Sequence, residues 1–284
     1  MIIIHTNQLD EAKTAEIRAL EEKCREHDGL KAAVFLSNEI NFDPNISCFF
    51  TCYEEQTLVG FLSLFVPTQA EAEVSAFTLP EYRKTGVFHS LLAAAREELK
   101  RYEVKRLLFV CEPQSAAAKA VITHYGAKYE FSEYLMHFDR VTALPAPGAV
   151  ALRAAARNDL SALISLSTRT FGDDEAEARS MLEKSMDSPE IDCYSALLNG
   201  RIIGMCNVNR EGEELSIFGV GVEQDLQGKG YGRQMLSALL RELCEKETRK
   251  ITLEVNSENA AAYHLYKAIG FSVETQFDYY GLAI

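Results

Sequence analysis

The stretch that decides the fold is "LQGKGYGRQML", Leu226–Leu236, which places three glycines within five positions immediately before an apolar pattern at helical spacing. Such a loop points several unobstructed backbone N–H groups and the positive end of a helix at one place, which suits a phosphate or pyrophosphate. It is not a P-loop, because Glu223 stands where that motif has its first glycine. It is not a dinucleotide fingerprint either, because Arg233 replaces the third glycine. The motif that remains is Q-x-x-G-x-G, Gln227 to Gly232.

The same outline occurs a second time, 144 residues earlier in the chain. Three pairs of residues share this offset: Arg83 and Gln227, Gly86 and Gly230, and Gly126 and Gly270. An internal repeat of this length predicts two copies of one domain, residues 1–143 and 149–284. The prolines and glycine of the intervening residues 144–148 interrupt regular structure and predict a linker.

Apolar periodicity gives the order of elements in the second copy. A strand at 150–153 precedes two helical patterns, and two strands follow that are joined at Asn199-Gly200, a strong hairpin signal. A third strand leads into the glycine loop, and a helix, a strand, a short helix ended by Gly270 and a last strand complete the copy. This order predicts an α/β (α+β) fold with a mixed, mostly antiparallel sheet flanked by helices in each copy.

Two segments in this order, "VEQDLQGKGYGRQML" and "LEVNSENAAAYHLYKAIGF", resemble the GNAT superfamily of acyl-CoA-dependent N-acyltransferases. The resemblance covers the second copy in outline and the first copy more faintly, from Ile46 to Met136. It implies a tandem N-acetyltransferase that transfers acetyl from acetyl-CoA to a primary amine by direct attack in a ternary complex. It also implies a pair of neighbouring parallel strands that splay apart. No metal is expected, because the sequence has no His/Cys cluster at ligand spacing.

The resemblance further implies where acetyl-CoA lies. The pyrophosphate occupies the glycine loop, the pantetheine lies between the strands of Val222 and Leu253, and a backbone N–H near Val222 meets the thioester carbonyl. The implied cofactor-binding residues are Val222, Gln227, Gly228, Lys229, Gly230, Tyr231, Gly232, Arg233, Asn259 and Tyr266. Helix capping is an alternative explanation for Asn259.

Two side chains are candidates for the chemistry, which needs an acceptor amine without its extra proton and a donor to the departing thiolate. Tyr266 matches the family's tyrosine and is the candidate donor; its alternative is a core tyrosine. Glu254 is the candidate base, because "LEV" followed by Asn259 and Tyr266 resembles the protein N-terminal acetyltransferases of the superfamily. A merely solvated Glu254 is the alternative, and Glu213 and Glu214 are other candidates.

The first copy lacks these groups. At the same offset Phe88 replaces Gly232, Val110 replaces Glu254, Ser115 replaces Asn259 and Ile122 replaces Tyr266. We therefore expect a degenerate, non-catalytic first domain. Arg83, Lys84 and Gly86 still offer phosphate contacts, and Glu71 offers a different base.

Composition sets the remaining bounds. A net charge of -13 argues against a nucleic-acid partner. Seven cysteines without paired spacing predict ordinary buried thiols, and the absence of a long apolar run and of a signal-peptide pattern predicts a cytoplasmic protein without a membrane partner.

The acceptor is left open by the sequence among a small-molecule amine, a peptide N-terminus and a lysine, and the oligomeric state is not indicated. The acidic stretch "FGDDEAEARS" either attracts a cationic amine or starts a helix. The alternative function is an acetyl-CoA-binding or partner-binding protein without catalysis.

Overall fold

The chain forms two compact units in the computed structural model, which describes all residues 1–284. Unit 1 consists of Met1–Ser132 and Thr275–Ile284, and unit 2 consists of Glu133–Glu274. The cysteines are all unpaired, and six of the seven are buried, as the sequence predicts. No helix combines the length and the apolar character that crossing a lipid bilayer requires.

Unit 1 contains five complete strands and three helices. The strands are β1 (Ile2–Thr6), β2 (Phe49–Glu54), β3 (Thr57–Phe65), β4 (Ala72–Thr78) and β5 (Arg106–Cys111). The helices are α1 (Glu11–Asp28), α2 (Val87–Arg101) and α3 (Ala116–Tyr125). Strand β6 (Lys128–Phe138) begins in unit 1 and continues into unit 2.

Unit 2 contains five complete strands and four helices. The strands are β7 (Val150–Ala154), β8 (Ile191–Leu198), β9 (Arg201–Asn209), β10 (Glu214–Val222) and β11 (Lys250–Asn256). The helices are α4 (Leu160–Phe171), α5 (Glu175–Asp187), α6 (Tyr231–Lys246) and α7 (Ala260–Ala268). The last strand, β12 (Phe271–Ala283), begins in unit 2 and ends in unit 1.

Each unit has a mixed, mostly antiparallel sheet, which confirms the predicted fold class. In unit 1 the strand order is β1-β2-β3-β4-β5-β12, and only β4 and β5 run parallel. In unit 2 it is β7-β8-β9-β10-β11-β6, and only β10 and β11 run parallel. The remaining pairs are antiparallel. Short turns join β2 to β3 and β8 to β9, whereas β5 with β12 and β6 with β11 pair strands far apart in the chain.

The bounds of the units differ from the predicted division at residues 144–148. Strand β6 pairs with β11 of unit 2, from Glu133↔Asn256 to His137↔Thr252, and the end of β12 pairs with β5 of unit 1. Each sheet is therefore completed by a strand from the other half of the sequence. A repeat offset records order along the chain, whereas backbone hydrogen bonds decide which strand completes a sheet. We still propose two domains, one for each copy of the repeat, in which β6 and the end of β12 complete the sheet of the other copy.

The first copy also departs from the predicted order, because it has one helix before its hairpin where the second copy has two. Residues 29–48 contain neither helix nor strand. Side-chain contacts hold this segment instead: Glu112, just after β5, accepts the N–H groups of Lys31 and Ala32 at 2.8 and 3.0 Å, and Val34 is buried in the core. The segment therefore covers one part of unit 1 in an irregular conformation.

Apolar side chains pack on both faces of the unit 2 sheet. On one face α6 and α7 cover strand residues that include Leu253, Val255 and Cys206. On the other face α4 and α5 form a smaller cluster around Met205. Because side chains alternate along a strand, Glu254 points to the face opposite Leu253 and Val255.

Candidate active site

The two parallel strands of unit 2 separate at their carboxyl ends. β10 and β11 pair only from Glu214↔Lys250 to Ile217↔Leu253. Beyond this point β10 has a bulge against β9, where Gly219 has a φ of +60°, and a Cβ on that glycine would lie 2.7 Å from the Asn207 amide nitrogen. The bulge turns β10 away while β11 continues along β6. A gap therefore opens beyond Leu253, which confirms the predicted splay.

The glycine loop ends at a helix whose first N–H groups have no capping side chain. Gly228 and Gly230 have φ values of +73° and +82°, which L side chains rarely adopt. Gly230 is the N-cap of α6, and the first intrahelical bond runs from the Gln234 N–H to the Gly230 carbonyl at 3.2 Å. The N–H groups before Gln234 and the helix dipole thus suit an anion such as the acetyl-CoA pyrophosphate.

The side chains of the loop hold its shape. Gln227 Nε2 donates to the carbonyl of Val222 at 3.0 Å, and Lys229 Nζ donates to the carbonyl of Asp225 at 2.9 Å. Both residues are predicted to bind the cofactor. In this structure Gln227 fastens the loop to the end of β10, and Lys229 fastens it to the turn that precedes it. Arg233 is exposed on the first turn of α6, and Tyr231 packs partly buried against the core.

Gly232 is not required by the packing of the protein itself. A Cβ at this position would lie 3.4 Å from Leu265 Cδ2 and 3.8 Å from Val222 Cγ2, which are ordinary contact distances. Its φ is not in the left-handed region either. A bound ligand that approaches the backbone closely would explain a glycine here.

Helix α7 carries the two other predicted residues. Asn259 is its N-cap, with Oδ1 accepting the N–H of Ala262 at 3.1 Å, so the capping explanation holds. Tyr266 is 6% exposed, and its ring packs 6.0 Å from that of Phe271. Burial, with a smaller contribution from Cys206, raises the pKa of Tyr266 to about 12. Its hydroxyl has no hydrogen-bond partner in the protein and is not sealed from solvent.

Glu254 lies on β11 immediately after Leu253, the last residue of β11 that pairs with β10. Its side chain is exposed to solvent. Desolvation, the charge of Glu133 and a hydrogen bond with Glu133 raise the pKa of Glu254 to about 7. Tyr266 packs in the core cluster of Leu253 and Val255, so Glu254 and Tyr266 lie on opposite faces of the sheet.

Glu133 was missed by the sequence analysis. It lies on β6, which the repeat assigned to the first copy, and the residue at the 144 offset is Phe277. The register pairs Glu254 with Leu135 and Asn256 with Glu133, so Glu133 and Glu254 are diagonal neighbours on one face. The only signal in the sequence is an acidic residue within an alternating strand pattern, which is also typical of a solvated strand face.

The alternative bases of the second copy lie elsewhere. Glu214 opens β10 at the far end of the parallel pair, where it accepts a hydrogen bond from Lys250 Nζ at 2.9 Å. Glu213 precedes it in the chain. Three residue pairs separate Glu214 from the start of the splay.

The acidic stretch before α5 serves local structure. Asp173 accepts the hydroxyl of Ser167 at 2.8 Å, and Asp174 caps α5 through the N–H of Ala176 at 2.8 Å. Phe171, which ends α4, instead lies over the splayed strand: a Cβ on Gly221 would be 2.8 Å from its ring. Phe171 is 45% exposed, so an apolar ring borders the site on the face of Glu254.

The corresponding loop in unit 1 is built differently. Arg83 Nε donates to the carbonyl of Thr78 at 3.1 Å, just as Gln227 does to Val222, while its other nitrogens bind Asp28 at 2.8 and 2.6 Å. The guanidinium of Arg83 is therefore bound by Thr78 and Asp28, whereas the sequence suggested that it could contact phosphate. Lys84 and Gly86 keep positive φ values, and α2 also begins without a capping side chain.

Aromatic rings fill the region beside that loop. The ring of Phe88 lies 6.4 Å from that of Phe109 on β5 and 6.1 Å from that of Tyr125. Ser115 caps α3 as Asn259 caps α7, and Ile122 is 6% exposed in the core. The replacement of glycine by Phe88 thus gives unit 1 an apolar cluster next to its loop.

Comparison with known proteins agrees with this geometry. The family model described as "Acetyltransferase (GNAT) family" matches residues 14–127 and again residues 159–271. The chain belongs to the acetyltransferase (GNAT) family. The resemblance inferred from the sequence is thereby confirmed, and both copies of this GNAT chain are members.

Similar curated proteins are acetyltransferases. The mycothiol acetyltransferase of Saccharomonospora viridis is 26% identical over an alignment of 303 residues, gaps included, that covers 97% of each chain. That of Cellulomonas flavigena is 29% identical over 241 residues, 76% of this chain and 69% of the relative. The [ribosomal protein bS18]-alanine N-acetyltransferase of Escherichia coli is 34% identical over 77 residues, 27% of this chain and 52% of the relative.

Two solved structures share the fold along the chain. A GCN5-related N-acetyltransferase from Sphaerobacter thermophilus has a TM-score of 0.75 at 16% identity and covers 99% of this chain and 95% of its own. A tandem GNAT protein from the clavulanic acid biosynthesis pathway has a TM-score of 0.71 at 16% identity, covering 99% and 98%. At this identity the likeness concerns the fold alone.

Proposed function

We propose that this chain is an acetyl-CoA-dependent N-acetyltransferase in which the second copy alone transfers the acetyl group to a primary amine, by direct attack in a ternary complex. One observation carries the proposal: Glu254 and Tyr266 approach the splay of β10 and β11 from opposite faces, beside a helix that begins with uncapped N–H groups. The amine that attacks the thioester carbonyl needs a base to take its proton, and the thiolate that leaves needs a proton donor.

The residues of unit 2 fit acetyl-CoA. The N–H groups of Gly228 to Arg233 would receive the pyrophosphate, and the splay beyond Leu253 would receive the pantetheine. Bound acetyl-CoA supplies the acetyl group and a thiolate leaving group. The backbone N–H of Val222 is the candidate donor to the carbonyl oxygen, as in other sites where fixed N–H groups stabilise developing negative charge.

Glu254 prepares the acceptor by taking a proton from its ammonium group. With a pKa of about 7, this carboxyl is half ionised near neutral pH and is a much stronger base than an ordinary glutamate. A general base works best with a pKa near the working pH. The solvent contact of Glu254 provides a route by which the proton leaves.

Tyr266 assists the leaving group. A pKa of about 12 keeps its phenol protonated throughout the range in which Glu254 titrates. Because the hydroxyl has no partner in the protein, it is available as a donor to the departing thiolate. Its ring is held by the core, so the direction of the hydroxyl is fixed without a second hydrogen bond.

The first copy is proposed to be non-catalytic. Its loop residue Arg83 is bound to Asp28, Phe88 occupies the place of Gly232, and Ile122 has no proton to donate. We therefore expect one acetyl-CoA bound per chain. Isothermal titration calorimetry measures this stoichiometry, and two comparable sites would contradict the assignment.

The reaction is tested by incubating the purified chain with acetyl-CoA and a panel of primary amines while recording free thiol and product mass. The names of two relatives refer to mycothiol and to an alanine of ribosomal protein bS18, so the panel includes small-molecule amines and an alanine-terminated peptide. We expect amine-dependent thiol release that Glu254→Gln strongly reduces. Acetyl-CoA binding without turnover on every amine would favour a binding protein instead.

A further inference from the structure

Strand β6 brings a second carboxyl group to the proposed transfer site of unit 2. In the register with β11, Glu133 lies opposite Asn256 and Leu135 lies opposite Glu254. Residues opposite each other point to the same face of a sheet, and diagonal neighbours lie within reach of long side chains. The charge of Glu133 and a hydrogen bond between the two carboxyls contribute to the raised pKa of Glu254.

Other charged groups near this face are paired with one another. Lys250 donates to Glu214 and to Glu274 at 2.9 and 2.8 Å, and His137 Nδ1 lies 3.8 Å from a Glu274 oxygen. From α4, Arg169 pairs with Glu223 at 3.2 Å. Glu133 is the charged residue of β6 that neighbours Glu254 in the register, and its charge contributes to the raised pKa of Glu254.

We propose that Glu133 is a positioning residue of the transfer site, which accepts a hydrogen bond from Glu254 once Glu254 has taken the proton of the acceptor ammonium. The proposal rests on the function proposed above. In this step an N–H bond of the ammonium breaks and an O–H bond forms on Glu254, while Glu133 stays a carboxylate. The neutral amine then attacks, and Glu133 has made Glu254 the stronger base by stabilising its protonated form.

The pair also defines a class of acceptor. When both carboxyls are ionised they attract one ammonium group and repel any anion beside it, because opposite charges on neighbouring groups attract and like charges repel. We therefore expect a primary amine without an adjacent carboxylate, in preference to a free amino acid. Examples are the α-amine of an amino acid amide and a peptide N-terminus. Alanine amide and alanine form a matched pair of probes.

The coupling is measured without relying on turnover. In protein labelled with ¹³C at the glutamate carboxyl, the signal lost in Glu254→Gln identifies Glu254, and its titration gives the pKa. Glu133→Gln should lower that pKa by about one unit or more, because a neighbouring negative charge is removed. The matched control is Glu258→Gln, an exposed glutamate on the loop after β11, which should leave the pKa of Glu254 unchanged.

Kinetics test the consequence. For Glu133→Gln the ascending limb of the pH profile of kcat/KM should move to lower pH, and its plateau should fall about tenfold, a part of what general base catalysis provides. Glu133→Asp should restore part of the plateau, and the preference for alanine amide over alanine should shrink in Glu133→Gln. Melting temperatures establish that the variants fold.

The outcomes separate the two proposals. Turnover with an unmoved Glu254 pKa in both Glu133 variants overturns the role of Glu133 while leaving the proposed function. A uniform loss of rate without a shifted profile also overturns it, since this is the result of a purely structural role. A shifted pKa in a protein that acetylates no amine refutes the proposed function and leaves only the coupling.

Discussion

Replacing Tyr266 by phenylalanine removes one hydroxyl and separates the catalytic from the structural role of this residue. The ring is 6% exposed and packs against Phe271, and phenylalanine keeps these contacts. The hydroxyl has no partner in the protein, so its removal leaves no buried donor or acceptor unsatisfied. The substitution should therefore change the free energy of unfolding by less than about 1 kcal/mol.

The expected loss of turnover is much larger. General acid catalysis contributes about 10² to 10⁴-fold, and water partly substitutes for a missing donor, so kcat should fall at least about thirtyfold. Affinity for acetyl-CoA should stay within about threefold, because the loop at Gly228–Arg233 is untouched. The assay is free-thiol release at saturating amine, together with calorimetric binding of acetyl-CoA and thermal unfolding.

Tyr194→Phe is the matched control. Tyr194 is 4% exposed in the same core, and its hydroxyl donates to Glu242 at 3.2 Å on α6. Removing this hydroxyl should cost about 1 kcal/mol of stability and leave kcat nearly unchanged. Unchanged turnover in Tyr266→Phe, under conditions where the chemical step limits the rate, would refute the proposed proton donor. Tyr266 would then have a packing role alone.

Three further predictions concern the loop, the base and the stability of unit 2. Gly232→Ala should raise the Kd for acetyl-CoA about tenfold or more in calorimetry while the melting temperature of the free protein holds or rises, because the new Cβ meets its neighbours at 3.4 Å and alanine favours a helix; unaltered affinity would contradict the loop's role. Glu254→Gln should lower kcat/KM chiefly at low pH and recover partly as rising pH deprotonates the amine unaided; a parallel loss at every pH would argue against a base. The pKa of Asp159 is lowered to about 2, chiefly by hydrogen bonds from Arg153, so its ionised form favours the fold and about 1 to 2 kcal/mol should be lost as pH falls from about 4 to 2. Asp159→Asn should abolish that part of the pH dependence in denaturant titrations, and an unchanged slope would contradict it.

Local features of the site followed from short stretches of sequence. Gly228 and Gly230 belong to the predicted glycine loop, and the structure gives them positive φ values. Asn259 at the start of an apolar helical pattern predicts a cap, which is present. The hairpin at Asn199-Gly200 and the order of elements in the second copy were predictable for the same reason. Turn, cap and period are set by neighbours within a few residues, so the sequence carries them directly.

What the sequence determined alone was therefore the family, the repeat, the loop and the candidate pair Tyr266 and Glu254. The tertiary structure decided which strand lies beside Glu254, and so brought Glu133 to the site. It also decided that Arg83 is bound to Asp28 and that residues 29–48 pack without a second helix. Strand pairing is made by backbone groups that are alike in every residue, and ion pairs join positions far apart in the chain, so neither leaves a local pattern in the sequence.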